Sequence, residues 1–396
     1  PFIPFVLGAI ALGAAAWLAE RDRRARAAAE VVAATDESEA AETPAKTIGD
    51  MLDLDEIHVQ FAPDLVPTVM DPATGLDARI ANIRNHIAGA FGVVIPEIRL
   101  TDDPGLPEGA YAIRIQGVEV ARDMLRRGKV LALLSADRPL DAPGEDVREP
   151  VYGAPARWID AGDKERASLT GMAVVGPVEV VATHLLETLK DNFGRLLSRR
   201  VLRKLLESFV NVSDPVRAEG NKRILDEFVP DRVPVDLLQS VLRLLLEEQV
   251  SVRNLPLILE AVAEGRGLGA PEAVCEHVRR RLGFQLVSEL KEDDGSLPIV
   301  QIGPEWERVF QNHEVGSEGG VADVALPPEE FNRLAQSVAD KVSAAAERGR
   351  RAVIATSVKR RRFIRTVLAA KGVSNPVLSY EEIGTEVKPA LVGVAT

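Results

Sequence analysis

Residues 76–100 read LDARIANIRNHIAGAFGVVIPEIRL, and the spacing of apolar residues changes in the middle of this stretch. The isoleucines of its first part recur at the spacing of one helix face, which predicts an amphipathic helix from Leu76 to Phe91. Gly92 is typical of a residue that ends a helix, and the β-branched run VVIPEIRL after it predicts a strand. A helix followed at once by a strand indicates a mixed α and β fold.

Strand-like stretches follow at short intervals. Residues 112–120, AIRIQGVEV, alternate between apolar and polar over their first half and predict a strand with a bulge or turn at Gly117. Residues 129–134 and 173–175 are apolar and predict two more strands. Residues 137–155 are rich in proline and acidic residues, so we expect mostly loop there. Together with the opening stretch, these segments predict small α/β subdomains.

The middle of the chain has the pattern of several consecutive helices. Residues 178–197 form one long segment with an apolar stripe, and leucine stripes at helical spacing continue beyond it. Asp214–Pro215, Pro230, Pro234 and Gly265 interrupt these stripes and separate the helices. The pattern predicts a small helical subdomain.

The last third of the chain returns to alternating strands and helices. The apolar runs at 297–302, 351–355 and 377–379 predict strands, and residues 359–371 predict a helix. Residues 327–330 read PPEE and predict a helix start, because proline and acidic side chains suit the first turn. We therefore expect a second α/β region after the helical one.

The first residues of the chain have the composition of a membrane span. Residues 1–19 carry no charged side chain, and their length is close to the ~20 residues that cross a bilayer. Trp17 lies near one end, and four arginines follow within residues 21–26. Under the positive-inside rule, everything after about residue 20 then lies in the cytoplasm, which predicts an inner-membrane protein. A signal peptide would carry its charges before the apolar run, and a basic cluster directly after the run disfavours a buried helix.

Residues 20–49 are rich in alanine, glutamate and threonine and contain no aromatic residue, which predicts a flexible linker. The sequence as a whole predicts an α+β multidomain fold, in which a transmembrane helix and a linker precede α/β subdomains with a helical subdomain between them. We place subdomain 1 at 50–127 plus 177–196, an inserted subdomain 2 at 128–176, the helical subdomain 3 at 197–284 and subdomain 4 at 285–396.

Net charge and cysteine content narrow the classes of function. The formal net charge of −12 argues against a general nucleic-acid binder, which has to neutralise phosphates. Cys275 is the single cysteine, so one chain can form neither a disulfide nor a cysteine-based zinc site. The five histidines show no metal-binding spacing. We expect no catalytic residue, no metal, no cofactor and no nucleic-acid partner.

Three motifs have a chemical interpretation besides a structural one. Residues 265–269, GRGLG, resemble a phosphate-binding loop but follow a helix and lack Gly-Lys-Ser/Thr, which favours a helix terminator. His184 lies between Thr183 and Glu187, which leaves a membrane-anchored hydrolase with His184 as its base as an alternative. Residues 359–362, KRRR, favour a solvated helix face or a contact with an acidic partner over a nucleic-acid site.

Several segments, in order over most of residues 50–396, share their pattern with a known family. These segments are ARIANIR (78–84), GVVIP (92–96), YAIRIQGVEV (111–120), EPVYG (149–153), ARWI (156–159), VATHL (181–185), VLRLLLEEQVSVRNLPLILE (241–260) and VLSYEEI (377–383). Together they resemble the FHIPEP family, the export-gate proteins of flagella and of virulence injectisomes.

The resemblance implies a multi-span membrane domain upstream and a cytoplasmic region of four subdomains that assembles into a ring of nine subunits. It implies that export chaperones with their bound substrates dock between the first two subdomains. An export ATPase complex and other export-gate membrane proteins are the further partners that it implies.

Carried over by position, the implied docking residues are Glu149, Tyr152 and Thr183. The family usually has aspartate and phenylalanine at the first two positions, so the longer acid and the added hydroxyl imply an altered chaperone preference. In the family, the end of the linker can pack on a neighbouring subunit. The apolar candidates for that contact in this chain are Ile48, Met51, Leu52 and Leu54.

Two members of the family fit the sequence. The Ala-Thr-His-Leu signature around Thr183 and the Tyr152–Gly153 element favour a flagellar export gate. The segment VSVRN at 250–254 resembles the injectisome counterpart more closely. Both alternatives imply the same architecture.

Overall fold

The structure is a computed structural model that describes residues 54–71, 74–134, 140–316 and 323–396. Within these ranges, no helix is both long enough and apolar enough to cross a bilayer. Some predictions fall outside the described residues, namely the membrane span at 1–19, the linker at 20–49 and the linker contacts Ile48, Met51 and Leu52.

The residues on either side of the opening helix form a four-stranded sheet. Its elements are β1 (Ile57–Phe61), α1 (Val66–Val69), α2 (Leu76–Phe91), β2 (Ile98–Asp102), β3 (Ala110–Ile115) and β4 (Val118–Met124). The strand order is β2-β1-β3-β4, with β1 and β2 parallel and the other pairs antiparallel. The sheet therefore contains one crossover, and α2 lies in it.

Helix α2 has the bounds that its sequence predicts. Its buried side chains are Leu76, Ile80, Ile83 and Ile87, which lie on one face. The helix ends at Gly92, whose φ of 75° is in the left-handed region that glycine adopts without strain. The predicted strand VVIPEIRL forms only from Ile98, because Pro96 has no N–H to give to a ladder.

The segment predicted as one strand with a turn is a hairpin. Strands β3 and β4 are joined by Gln116 and Gly117, both at positive φ (50° and 79°). Two consecutive residues at positive φ match the twist of antiparallel strands, so Gly117 is a turn residue rather than a bulge.

The second sheet lies in the part of the chain that is rich in proline. Its elements are β5 (Lys129–Leu133), β6 (Gly144–Arg148), β7 (Pro155–Asp160), α3 (Lys164–Leu169) and β8 (Val174–Val175), with strand order β6-β7-β5-β8. All neighbours in it are antiparallel. Trp158 is 3% exposed and belongs to the core.

Strand β6 lies within residues 137–155, where the sequence predicts mostly loop and does not indicate a strand. Its sequence GEDVR lacks the apolar alternation of a strand because it is an exposed edge. Ion pairs from Glu145 to Arg126 (2.8 Å) and from Asp146 to Arg157 (2.5 Å) help to hold it. These partners are distant in sequence, so local patterning could not reveal the strand.

Eight helices follow the second sheet. They are α4 (Pro177–Asp191), α5 (Phe193–Leu196), α6 (Arg199–Val210), α7 (Pro215–Phe228), α8 (Val235–Glu247), α9 (Leu255–Gly265), α10 (Pro271–Arg281) and α11 (Gly283–Ser288). The long helix predicted over 178–197 is interrupted at Asn192. Helix α9 ends at Gly265, and Gly269 has a φ of 81°, so the GRGLG segment is the helix terminator that was predicted.

The last third forms a parallel sheet with helices. Its elements are β9 (Ser296–Ile302), α12 (Pro304–Asn312), β10 (Glu314–Val315), β11 (Asp323–Val324), α13 (Pro328–Ala346), β12 (Val353–Thr356), α14 (Val358–Ala369), β13 (Val377–Ser379), α15 (Tyr380–Ile383) and β14 (Lys388–Ala395). The order is β13-β12-β9-β14 with every pair parallel, and β10 pairs only with β11. These elements confirm the α/β pattern read from the sequence of the last third.

The basic run at the start of α14 is not the solvated face that its sequence favours. The side chains of Arg360 and Arg361 are 1% and 0% exposed, and each is surrounded by carboxylates of the same chain. The acidic groups that contact this basic run therefore belong to the same chain. Residues 55–396 form one compact unit, and the boundaries between four subdomains stay a prediction.

Candidate functional site

A tight turn between β6 and β7 carries two of the three implied docking residues. The Glu149 carboxylate accepts the N–H of Val151 at 2.6 Å and the N–H of Tyr152 at 2.9 Å. The backbone closes the same turn, because Gly153 donates its N–H to the Glu149 carbonyl at 3.0 Å. Glu149 therefore holds the shape of the turn from within.

The turn presents Tyr152 to solvent. The side chain of Tyr152 is 73% exposed, the largest exposure of an aromatic ring in the described residues. Gly153 follows at a φ of 67°, which a residue with a Cβ adopts only with strain. A large ring on a turn closed by hydrogen bonds loses little conformational freedom when a partner covers it.

Helix α4 supplies the third residue. Thr183 is exposed, and its hydroxyl donates to the Glu179 carbonyl one turn earlier at 2.9 Å. Glu187 lies one turn further along the same face of the helix. Tyr152 and Glu187 line the same cleft, and partial burial together with the Glu187 carboxylate raises the pKa of the Tyr152 phenol. The structure thus places Glu149 and Tyr152 in one turn and Tyr152 beside Glu187, which is one helical turn from Thr183. That the three form one docking surface stays a prediction.

His184 lies beneath that surface. Its Nδ1 forms a hydrogen bond of 2.7 Å with the Tyr111 hydroxyl, and the imidazole is 9% exposed. Burial lowers the pKa of His184, although the carboxylates of Asp123 and Glu149 oppose this shift. The Thr183 hydroxyl bonds to its own helix and not to the imidazole. This arrangement is that of a structural histidine and does not support the hydrolase alternative.

A long cleft of about 1450 Å³ begins at Tyr152. Glu187, Lys190 and Asp191 line it beside the tyrosine, and the Lys190 ammonium is 2.8 Å from the Glu187 carboxylate. Sequence reasoning named Glu187 only beside His184 in the hydrolase alternative, and it did not select Lys190 or Asp191. The available signal was the spacing of four, seven and eight residues from Thr183 on one helix. The cleft connects the implied docking surface to the distant last third of the chain.

The linker contacts are described only at their last residue. Leu54 is 62% exposed, and the other three candidates lie outside the described residues. Their packing stays a prediction.

Comparison with known proteins places this geometry in a family. The model of the FHIPEP family matches residues 1–388. The chain belongs to the FHIPEP family. The resemblance noted in the separate segments therefore extends over nearly the whole sequence.

Curated relatives in the FHIPEP family carry flagellar names. The chain is 33% identical over 399 aligned residues to the flagellar biosynthesis protein FlhA of Caulobacter vibrioides, covering 100% of this chain and 55% of that protein. It is 29% identical to the FlhA of Treponema pallidum, over 88% of this chain and 48% of that protein. The chain thus spans about half the length of the curated relatives it matches.

Solved structures share the fold. The structure of the Chlamydia pneumoniae CdsV and CdsO protein complex matches with a TM-score of 0.72 and 21% identity, over 87% of this chain and 98% of that one. The nonameric SctV-C from EPEC, determined by cryo-EM, matches with a TM-score of 0.67 and 16% identity, over 86% of this chain and 98% of that one. At these sequence identities, the matches show a shared fold and nothing beyond it.

Proposed function

We propose that this chain is the docking platform of a flagellar type III protein export gate, which binds chaperone–substrate complexes and passes substrates to the export channel. The observation that carries the proposal is the combination of the family match over residues 1–388 with a relative named as a flagellar biosynthesis protein at 33% identity. The exposed turn at Tyr152 supports a role in binding.

The three docking residues have different roles in this proposal. Tyr152 is the anchor, since exposed aromatic rings on ordered backbone dominate the energy of many interfaces. Glu149 acts through the turn, because both oxygens of its carboxylate accept backbone N–H groups. Thr183 offers its oxygen lone pairs, because its proton is already donated to the Glu179 carbonyl. A partner that docks here therefore covers a ring and donates to the helix face.

The proposal includes assembly and placement. Nonameric rings among structures of the same fold support a homo-oligomeric ring for this chain. The complex of CdsV with CdsO supports a further protein partner, and we propose components of the export ATPase complex and other export-gate membrane proteins in that role. The uncharged residues 1–19 followed by arginines support attachment to the inner membrane, with the rest of the chain in the cytoplasm.

The docking site is tested by the affinity of the full chain, in detergent, for purified flagellar chaperone–substrate pairs. We expect Tyr152→Ala to weaken binding by about 30-fold, which corresponds to the ~2 kcal/mol of an interface anchor. Tyr152→Phe keeps the ring and removes the hydroxyl beside Glu187, so it reports on selectivity among chaperones. Tyr380→Ala removes the other exposed tyrosine and serves as the control. An unchanged affinity of the Tyr152→Ala variant refutes the site.

The injectisome alternative has its own support, because one solved structure of the same fold is the nonameric EscV cytosolic domain from the type III secretion system. Deleting the gene in its own organism distinguishes the flagellar export gate from the injectisome export gate. Loss of swimming motility supports the flagellar gate, and retained motility with loss of effector secretion supports the injectisome gate.

A further inference from the structure

The cleft that begins at Tyr152 runs on to the last third of the chain. Its far end is lined by residues after α11 and before and after α14, including Glu289, Arg351, Ser374 and Leu378. A volume of about 1450 Å³ exceeds the roughly 300–1,000 Å³ of small-molecule pockets. The cleft has the size for an extended peptide segment.

The cleft has an excess of unpaired positive charge. The arginines in its lining without a carboxylate oxygen within 4 Å, among the described residues, are Arg217, Arg253, Arg351 and Arg365. Two of the acids in the lining are already engaged, because Glu187 pairs with Lys190 and Glu248 pairs with Arg279. Asp191 and Glu289 are the remaining acids. In a chain with a net charge of −12, this local excess of cations is distinctive.

Two guanidinium nitrogens at the far end of the cleft are buried with unused hydrogen-bonding capacity. Nη1 of Arg365 and Nη1 of Arg279 are buried without a hydrogen-bond partner in the described structure. Nη1 of Arg279 lies 3.2 Å from the Glu248 carboxylate as an ion pair only. Both atoms are shielded from solvent, whereas Arg217, Arg253 and Arg351 are exposed and are available to an anionic ligand.

Apolar side chains line the same cleft as the charged ones. They include Phe209, Val250, Leu286 and Leu290. A lining that contains both arginines and apolar side chains fits a segment that carries both carboxylates and apolar residues. A small inorganic anion would use the cations and leave the apolar part of the lining uncovered.

The geometry points to a second binding site in this cleft, for an extended acidic peptide of a partner protein that carries apolar residues between its carboxylates. Its arginines bind the carboxylates, and its apolar lining covers the side chains between them. The inference does not rest on the docking function of Tyr152, since the groups that carry it lie at other positions of the cleft.

The test uses the full chain in nonionic detergent and a short labelled peptide that alternates glutamate with leucine, with binding followed by fluorescence anisotropy. We expect Arg217→Gln, Arg351→Gln and Arg365→Gln together to weaken binding about tenfold, from the ~0.5 kcal/mol of each partly exposed ion pair. Because surface charges are screened, the affinity should fall as salt is raised.

A matched triple variant removes the same charge elsewhere. Arg99, Arg166 and Arg223 are exposed arginines in surface ion pairs outside the cleft, and changing them to glutamine should leave the affinity within about twofold. Equal weakening by both triples overturns the inference, and so does equal binding of a peptide with lysine in place of glutamate. Displacement of the peptide by inorganic phosphate at fixed ionic strength, with no effect of chloride, overturns the peptide class in favour of a small-anion site.

Discussion

Two arginines one turn apart on α14 have opposite surroundings. Arg361 is fully buried and bonds to two glutamates, with Nη1 at 2.6 Å from Glu248 and Nε at 2.7 Å from Glu276. Arg365 lies at the cleft, where its Nη1 has no hydrogen-bond partner. The first arginine joins α14 to the helical region, and the second lines the cleft without an ion pair to a carboxylate of the described residues.

The comparison shows two roles for charged side chains. Buried ion pairs stabilise the fold, whereas arginines in the cleft are available to a partner. Arg361 and Arg279 form a buried junction between α14 and the helical region. Arg279 also pairs with Glu382, whose carboxylate lies 2.7 Å from the Arg279 Nε. Glu382 in turn forms a capping box with Ser379 at the start of α15. Burial alone would raise the pKa of Glu248, but Arg279 and Arg361 lower it, so its charge is retained inside the protein. In the cleft, by contrast, Arg217, Arg253 and Arg351 are exposed and keep their water until a ligand replaces it.

The largest effect is expected at the junction. Replacing Arg361 with methionine leaves Glu276 without its ion-pair partner among the described residues and leaves Glu248 with Arg279 alone. Breaking a buried pair in this way costs about 3–5 kcal/mol. We expect the free energy of unfolding, measured by urea denaturation, to fall by that amount. Arg362→Met is the control, because Arg362 is 49% exposed and lies 3.6 Å from Glu272, an arrangement worth less than ~1 kcal/mol. Equal losses in the two variants would contradict the distinction.

A smaller effect is expected from the buried pair beneath the docking surface. Because the pKa of His184 lies below the ordinary value of 6.5, the unfolded chain binds more protons than the folded one at acidic pH. Stability should therefore fall as the pH decreases from about 6.5 to the lowered pKa, by at most ~1.4 kcal/mol per pH unit for this group. His184→Asn retains an acceptor near the Nδ1 position and does not titrate.

The measurement for His184 is the slope of unfolding free energy against pH. His58 also has a lowered pKa, for which burial is the main cause, so the variant should lose only part of the slope. A slope identical to that of the unchanged chain would show that the Tyr111–His184 pair does not resist protonation.

The smallest effect on stability is expected in the cleft. Changing Arg217, Arg351 and Arg365 to glutamine removes charges that pair with no carboxylate in the described residues. We expect the midpoint of thermal unfolding to stay close to that of the unchanged chain, with about 0.5 kcal/mol or less of change for each site. A loss comparable to that of Arg361→Met would mean that these arginines support the fold, and the contrast on α14 would disappear.

Sequence patterns predicted secondary structure best where the periodicity of apolar residues coincides with their burial. Helix α2 has its predicted bounds because its isoleucines lie on one buried face and Gly92 ends it. Strand β6 was missed because it is held by Arg126 and Arg157, from outside its own segment. The docking candidates Glu149, Tyr152 and Thr183 came from resemblance, whereas Lys190, Asp191 and the cleft arginines required coordinates.

The KRRR run shows the limit of the sequence most clearly. The sequence by itself determined that a helix with a dense positive charge starts at this run. It also determined that the chain is an α+β protein with the motifs of its family. Only the tertiary structure decided that Arg360 and Arg361 are buried among carboxylates and that Arg365 faces a cleft. The reason is physical, since the environment of a charge depends on groups distant in sequence, and the free energy of a charge changes by several kcal/mol between water and a protein interior.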